Sequence, residues 1–380
     1  MAKNEKEEGQ MDKISTVEVS INSKSVGRVA LTEDALCAFE YDTEFLKTGF
    51  SISPYFLPLK AGLFIAKRYP FRGNFGVFDD SLPDGWGNLI LDRYLKEQGM
   101  DANKLTILQR LSLVGSSGRG ALEFFPDKSV AGKDEFLNFD KLATESQKIL
   151  SNEYSGDMVH TFYQYGGSSG GARPKVFVNV DGKQWLVKFK ATTDTDDVGK
   201  IEYEYAELAR KCGIDFPNTK LFENKYFGVE RFDRTAAGKI HTISAAGLLN
   251  ADYRIPSLDY AVLLKVCLHL TRNMEEVFAL FRQMVFNVAI SNRDDHAKNF
   301  SFQYKNETWK LSPAYDILPS SGFNGYHTTT INGKGNPTLK DILQVASDAE
   351  ISAKKANEIV ESILEICRSK NKLNYSLHNN

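Results

Sequence analysis

The chain has 380 residues, of which 42% are hydrophobic and 25% are charged, and this length is typical of two or three globular domains. Its 47 lysines and arginines stand against 49 aspartates and glutamates, so the formal net charge is −2. Without an overall basic field, DNA binding by this chain alone is disfavoured. Four scattered cysteines without a CxxC pair and six dispersed histidines argue against a disulfide framework or a zinc site, and favour a reducing, cytoplasmic setting.

The amino terminus is polar and charged. Residues 1–14 are expected to form a disordered tail, and this stretch lacks the apolar core of a signal peptide. The most apolar internal stretch, residues 260–270, is interrupted by Lys265 and His269. The sequence therefore predicts neither secretion nor a membrane span.

The first elements after the tail are a hairpin and then helices. Residues 17–31 alternate apolar and polar side chains around the turn-prone residues 22–25, which is typical of a β-hairpin. Apolar spacing predicts a helix over 86–99 and a second over 105–113. The loop-like composition of residues 126–135 indicates a domain boundary.

The next region centres on a glycine-rich stretch, YGGSSGGARPK, at residues 165–175. A helix is predicted before it, over 139–150. After it, KVFVNV and QWLVKFK flank Asp181 and Gly182, the dipeptide favoured in a two-residue hairpin turn. A helix that ends at Gly213 and the short strand KYFGVERFDR follow, so the predicted order is loop, two strands, helix and strand.

The glycine-rich stretch has the composition of a phosphate-binding loop, because glycines let backbone N–H groups approach a phosphate without a Cβ in the way. A Walker A loop or a Rossmann fingerprint would open a helix, whereas Lys175 follows Pro174 and begins a strand. Residues 167–171 also match the GxSxG of a hydrolase, with Ser169 as nucleophile and His327 downstream, but that elbow leads from a strand into a helix. A glycine loop that caps a hairpin is how protein kinases cover ATP phosphates.

A kinase-like loop predicts a phosphate-facing lysine on the next strand and a carboxylate on the following helix. Lys188 lies in the apolar strand WLVKFK, and Glu202 or Glu204 begins the next helix. The alternative is that Lys188 faces solvent on an alternating strand.

The carboxyl-terminal part is mostly helical in its pattern, with a long apolar helix over about 274–290 that should be buried. Directly after it, NRDDHAKN places Asp294 and Asn299 at the Asp-x-x-x-x-Asn spacing with which kinases orient the attacking hydroxyl and hold magnesium. The spacing alone is common. Two adjacent aspartates and a histidine after a buried helix are poor structural choices, however, unless they are solvated or used.

A predicted hairpin brings a further carboxylate towards this loop. NFSFQY and TWKLSPAY flank a three-residue turn centred near residue 306, and antiparallel pairing then puts residue 316 opposite about 296. Asp316 is thereby expected beside Asp294 and Asn299, where Mg²⁺ between nucleotide phosphates needs a second carboxylate. The alternative is an ordinary solvated charge at a strand end.

In combination and order, these motifs resemble the HipA-type toxin serine/threonine kinase family over nearly the whole chain. DSLPDGWG (80–87) and LVGSSGRGALEF (113–124) are similar to motifs of that family's amino-terminal subdomain, although the residues themselves assign them no function. The resemblance implies an α+β fold with a bilobal protein-kinase and lipid-kinase-like core, a β-rich amino-terminal subdomain and a mainly helical C-lobe. The implied segments are the subdomain over 15–128, the kinase N-lobe over 137–236 and the C-lobe over 237–380.

The resemblance also implies roles for single residues. Asp294 matches the catalytic base, His296 and Lys298 would touch the transferring phosphate or shape the loop, and Asn299 and Asp316 match the ligands of Mg²⁺. The implied ATP-binding set is Gly170, Gly171, Ala172, Lys175, Lys188, Glu202, Glu230 and Phe232, of which the last two would line the adenine pocket.

Regulation and partners are implied as well. Family members are inhibited by autophosphorylation of a serine in the glycine loop, and Ser168 stands at the matching position with Ser169 beside it. The pair Arg173 and Pro174 departs from the family's best-known loop, which has Gln-Glu there, so loop mobility would differ. Such kinases typically phosphorylate an aminoacyl-tRNA synthetase and bind a helix-turn-helix antitoxin. The near-neutral charge agrees with DNA contact only through that antitoxin.

Two other functions remain open. One is a catalytically silent corepressor that acts with a DNA-binding antitoxin, but a protein without kinase activity would be free to lose Lys188, Asp294, Asn299 or Asp316, and all four are present. The other is a small-molecule kinase, because phosphoryl transfer is the same chemistry whichever hydroxyl attacks.

Overall fold

In the computed structural model of the chain, the structure describes residues 11–130, 132, 137–322 and 324–374. Most of the predicted tail, residues 1–10, lies outside the described residues, as does part of the predicted boundary, at 131 and 133–135.

The described chain contains both strands and helices throughout its length. The strands are β1 (Thr16–Ile21), β2 (Lys24–Leu31), β3 (Cys37–Tyr41), β4 (Leu63–Ile65), β5 (Leu122–Phe125), β6 (Lys175–Val180), β7 (Lys183–Lys188), β8 (Thr219–Phe222), β9 (Tyr226–Glu230), β10 (Arg234–Thr235), β11 (Gly238–Lys239), β12 (His241–Ser244), β13 (Leu258–Asp259), β14 (Ser301–Lys305), β15 (Thr308–Leu311) and β16 (Thr329–Thr330). The helices are α1 (Thr43–Thr48), α2 (Gly76–Asp79), α3 (Gly85–Glu97), α4 (Ile107–Val114), α5 (Phe139–Leu150), α6 (Gly156–Gly166), α7 (Val198–Lys211), α8 (Ala245–Leu249), α9 (Tyr260–Thr271), α10 (Met274–Ala289), α11 (Leu339–Asp348) and α12 (Ala353–Ser369).

These elements form two compact units. The first contains the chain up to Gly199 together with Phe222–Lys239, and the second contains Lys200–Leu221 together with the chain from Ile240 onwards. The predicted amino-terminal subdomain and most of the predicted N-lobe fall in the first unit, so the finer division into three segments stays a prediction.

The first unit opens with an antiparallel sheet in the order β4-β3-β2-β1-β5. The predicted hairpin is confirmed: β1 and β2 are joined by Asn22 and Ser23, which both have positive φ, as the twist of a two-residue turn requires. The inward residues Val17, Val29 and Phe39 are fully buried, so alternation along the strands builds one core face.

A second sheet of the same unit carries the hairpin that follows the glycine loop. Strands β6, β7 and β9 are antiparallel neighbours in that order, and the β6–β7 turn is the predicted pair Asp181 and Gly182, both at positive φ. Val187 of β7 belongs to the same buried cluster as Trp86 of α3 and Phe162 of α6. The helix that begins in DSLPDGWG therefore shares a hydrophobic core with the sheet.

The second unit is built around α10, the helix predicted to be buried. Ten of its residues are buried, and it packs on α9 and α12. A short antiparallel sheet in the order β12-β14-β15 packs against α9 and α10 through β15. The predicted α+β class, with a sheet-rich amino-terminal region and a mainly helical carboxyl-terminal part, is confirmed.

Within the part of the chain that the structure describes, no helix is both long enough and apolar enough to cross a membrane.

Candidate active site

The glycine loop connects α6 to β6, so it leads from a helix into a strand. This is the reverse of a hydrolase elbow. Ser169 is 3% exposed, and its hydroxyl donates to the Gly166 carbonyl at 2.6 Å, which directs it towards the backbone of the preceding helix end. Ser168 is half-buried, and its hydroxyl donates to the carbonyl of Ser117 at 3.0 Å. The hydrolase interpretation of Ser169 is therefore wrong.

The exposed part of the loop is Gly170, Gly171 and Ala172, and Gly171 has a φ of +86°, which a side chain would strain. The loop's far end is fixed by a bidentate ion pair from Arg173 to Asp194, with N–O distances of 2.7 and 2.9 Å. Arg173, which differs from the residue in the loop that the resemblance implies, thus fixes the end of the loop through Asp194. Backbone donors without a covering Cβ fit a polyphosphate.

Two lysines stand opposite each other at the base of this loop. Lys175 begins β6 and Lys188 ends β7, and their Cα atoms are direct partners in the ladder. Lys188 is only 9% exposed, and its ammonium lies 5.6 Å from the centre of the Phe227 ring. The solvent-facing alternative for Lys188 is therefore wrong. Lys175 is also buried, and its ammonium donates to the carbonyl of Gly170.

The VERFDR segment ends β9 and continues into a buried ion cluster. Glu230 binds Lys183 of the neighbouring strand at 3.0 Å, and Phe232 is half-buried. Asp233 is buried and accepts from Arg231 at 2.8 Å and from Arg234 at 3.0 Å.

The same cluster gives the LVGSSGRGALEF motif a structural role. The N–H of Gly120 donates to the Asp233 carboxylate at 2.8 Å, and Arg234 donates to the carbonyl of Gly118 at 2.7 Å. The cluster therefore ties the loop of this motif to the segment predicted to line the adenine pocket.

This cluster predicts a pH-dependent stability. Burial by itself raises the pKa of Asp233, but the charges and hydrogen bonds of Arg231 and Arg234 outweigh it and hold that pKa well below its ordinary value. Because the pKa is lower in the folded chain, ionised Asp233 stabilises the fold above about pH 4 and this contribution is lost as the pH falls. We expect Asp233→Ala to cost about 3–5 kcal/mol at pH 7, since two buried guanidinium groups lose their partner.

Urea unfolding at pH 7 and at pH 3 measures both effects. Asp233→Asn is the matched control, because it keeps the shape of the side chain and removes its titration. If the stability of the wild type and of Asp233→Asn changes equally between the two pH values, Asp233 is not the titrating group.

The helix after the hairpin carries the two candidate carboxylates, and they differ. Glu202 of α7 is 6% exposed, as expected for a residue with an internal role. Glu204 is exposed and binds Lys372 at 3.0 Å. Of the two, Glu202 is the candidate that the structure leaves for the ATP-binding set.

The predicted catalytic loop follows α10 as a tight turn. Asp294 is exposed, and its backbone carbonyl accepts from the Asn299 side chain at 2.7 Å, which fixes the orientation of that amide. The Lys298 ammonium lies 4.2 Å from the centre of the Tyr253 ring, and the His296 ring lies 5.9 Å from it. Tyr253, which the sequence did not single out, therefore supports both residues.

The second aspartate of the motif has a different role from the first. Asp295 is fully buried and accepts from Tyr260 at 2.9 Å and from the backbone N–H groups of Thr328 and Thr329 at 2.9 and 3.2 Å. His327 is 1% exposed, and its Nδ1 lies 2.8 Å from the same carboxylate. The buried Asp295 carboxylate therefore fixes the loop to residues 327–329, and His327 is one of its partners.

The β14–β15 hairpin differs by one residue from its predicted register. Lys305 pairs with Thr308 across a two-residue turn of Asn306 and Glu307, so the centre lies between these two and not at residue 306 within a three-residue turn. Both turn residues have positive φ, which alternation in the sequence does not reveal.

The segment that follows the hairpin still contacts the catalytic loop. The Tyr315 hydroxyl donates to the carbonyl of Lys298 at 2.7 Å and lies 2.6 Å from the Ser301 hydroxyl. Asp316 follows directly, exposed and at a φ of +57°, a conformation that aspartate tolerates better than most residues.

The donors of this region fit magnesium in kind. Asp316 offers carboxylate oxygens, and Asn299 offers an amide oxygen because its nitrogen is engaged by Asp294; Mg²⁺ prefers such hard oxygen ligands. Among the residues that the structure describes, no three His, Cys, Asp or Glu side chains are grouped closely enough to hold a metal by themselves. A magnesium ion here would depend on these two residues, on water and on phosphate oxygens.

Comparisons with known proteins give a consistent result. The family model of the HipA N-terminal domain matches residues 17–125, and that of the HipA-like C-terminal domain matches residues 167–370. "Putative kinase Y4dM" of Sinorhizobium fredii is 23% identical over 391 aligned positions, which cover 94% of this chain and 92% of the relative. Y4mE of the same organism is 32% identical over 152 positions, or 36% of this chain and 35% of the relative.

A solved structure shows the same fold. HipA of Shewanella oneidensis MR-1, determined with HipB and its operator DNA, is 16% identical, with a TM-score of 0.70 over 96% of this chain and 92% of that chain.

The fold, the glycine loop above a hairpin with a buried lysine, and the Asp294–Asn299 loop define a kinase-like protein. With both domain models matched in order, the chain belongs to the HipA family of kinase-like toxins.

Proposed function

We propose that this protein is an ATP-dependent serine/threonine protein kinase that acts as the toxin of a toxin–antitoxin pair. The observation that carries the proposal is the contrast within the catalytic loop: Asp294 is exposed, while Asp295 beside it is fully buried and hydrogen-bonded. Because Asp295 fixes the loop, the Asp294 carboxylate is held in the solvent. A general base needs such a position to reach the hydroxyl of a substrate.

In this proposal, the glycine loop and Lys188 bind the phosphates of ATP, and Asn299 and Asp316 hold Mg²⁺. Bound magnesium would neutralise charge on the transferring phosphate. Asp294 accepts a hydrogen bond from the hydroxyl of the substrate and takes its proton as the oxygen attacks. His296 and Lys298 shape the loop through their contacts with Tyr253.

The proposed partner is a HipB-type antitoxin. HipA of S. oneidensis was solved with HipB and operator DNA, and the net charge of −2 on this chain is consistent with a partner that supplies the DNA affinity. The family resemblance makes a translation component, such as an aminoacyl-tRNA synthetase, the proposed substrate.

The test is incubation of the purified chain with γ-labelled ATP and Mg²⁺, followed by mass spectrometry. We expect label on Ser168 rather than on Ser169, because Ser169 is buried and donates to its own helix end, while Ser168 is half-buried and donates to the Ser117 carbonyl. A phosphate on Ser168 would bring its charge into the loop that binds ATP phosphates and would oppose ATP binding.

Ser168→Ala and Ser169→Ala are the matched pair for this prediction, and only the first should lose the label. Label on Ser169 alone would contradict the assignment. Absence of any label, on the chain or on added protein, would contradict the kinase proposal and favour the corepressor.

A further inference from the structure

The DSLPDGWG motif lies directly against the glycine loop. Asp84 stands at the N-cap position of α3, yet its side chain makes no capping bond to its own helix. Its carboxylate instead accepts the N–H of Gly171, and the N–H of Trp86 donates to the Gly171 carbonyl at 2.9 Å. The first turn of α3 therefore engages both backbone polar groups of one glycine in the loop.

The glycines of the motif make this approach possible. A Cβ on Gly85 would lie 2.6 Å from the Gly171 carbonyl oxygen, and a Cβ on Gly87 would lie 2.3 Å from that of Ser169. Contacts this close exclude any side chain at either residue. The two glycines of the motif therefore allow the close packing of α3 on the glycine loop.

The chemistry of the contact is that of an anion on a phosphate-binding loop. Backbone N–H groups of such loops accept phosphate oxygens, and a carboxylate is an anionic acceptor of the same kind. One N–H cannot serve both, and a carboxylate next to a polyphosphate adds like-charge repulsion.

We propose that Asp84 is an internal competitor of the ATP phosphates. Its carboxylate occupies the Gly171 N–H that a phosphate would use, so ATP binds fully only when the start of α3 withdraws from the loop. The amino-terminal domain thereby sets the ATP affinity of the kinase. This inference rests on the proposed function, because it assumes that the loop binds ATP.

The test measures binding of Mg·ATP and of adenosine to the wild-type chain, Asp84→Ala and Asp84→Asn by calorimetry. We expect Asp84→Ala to bind ATP about tenfold more tightly, the size of a hydrogen bond to a charged group. Asp84→Asn should lie between, because its amide oxygen still accepts the Gly171 N–H without the charge. Adenosine has no phosphate, so its affinity should not change.

Asp92→Ala, on the exposed side of the same helix, is the matched control and should bind ATP as the wild type does. If the wild type binds ATP and both Asp84 variants, shown to be folded by circular dichroism, bind it equally or more weakly, the inference is overturned while the kinase proposal stands. If adenosine and ATP affinities rise together, the effect is not competition with phosphate and the inference fails. If neither the wild type nor any variant binds ATP, the proposed function itself fails, and the inference with it.

Discussion

Asp294→Asn should lower autophosphorylation by about 10²- to 10⁴-fold, which is the usual contribution of a positioned general base. Asparagine keeps the size of the side chain and its ability to contact a hydroxyl, but it cannot take the proton. Asp294 is exposed, and the backbone carbonyl that accepts from Asn299 is unchanged by the substitution. The expected loss therefore lies in the rate at saturating ATP, with little change in ATP affinity or in thermal stability.

Initial rates with γ-labelled ATP, together with a thermal melt, measure this prediction. Glu204→Gln is a suitable control, because it also removes one exposed carboxylate of the same unit. The ion pair of Glu204 with Lys372 lies at the surface, so its loss should not affect the kinase rate. Equal rates for Asp294→Asn and wild type would remove Asp294 from the mechanism. A rate loss accompanied by a large loss of stability would point to a structural role instead.

Much of the fold could be predicted because its elements have local signals. The hairpin turns at Asn22 and Asp181 and the buried helix α10 are confirmed where the alternation, the turn residues and the apolar period indicated them. The helix α6 is not among the predicted elements, although Met158, Val159 and Phe162 have helical spacing. The glycine-rich stretch directly after it resembles a loop, and this obscured the helix.

The contacts that connect distant motifs could not be predicted from a single sequence. The Asp84–Gly171 bond joins residues that are 87 apart, and the Asp295–His327 contact joins residues that are 32 apart. Contacts between residues so far apart in the sequence produce no periodic pattern of side chains that could predict them. The sequence indicates His327 only as a partner for Ser169 in a hydrolase pattern, and it contains no local signal for the contact with Asp295.

The roles of individual site residues could also be predicted only in part from the sequence. Spacing predicted that Asp294 and Asn299 act together, and the structure brings them into contact through the Asn299 amide. Spacing selected Asp294 over Asp295 but gave Asp295 no role, because the burial of Asp295 depends on the turn at Thr328 and Thr329. The anchoring role of Asp295 therefore needs tertiary structure, and it leads to different predictions for the substitution of the two aspartates.

Asp295→Ala should destabilise the protein by about 3 kcal/mol or more, because it leaves several buried donors without an acceptor at once. The Tyr260 hydroxyl and the N–H groups of Thr328 and Thr329 all donate to this carboxylate, which is fully buried. Kinase activity should fall as well, since the loop from Asp294 to Asn299 loses its anchor.

Urea unfolding of the two neighbouring variants separates the roles. Asp294→Asn should unfold as the wild type does and be inactive, whereas Asp295→Ala should unfold at clearly lower urea. Tyr260→Phe removes two hydrogen bonds, the one donated to Asp295 and the one accepted from Asn287 at 3.0 Å, and should cost about 2 kcal/mol, less than Asp295→Ala. If Asp295→Ala proved as stable as Asp294→Asn, the buried carboxylate would not be the anchor of the loop, and the exposure of Asp294 would need another cause.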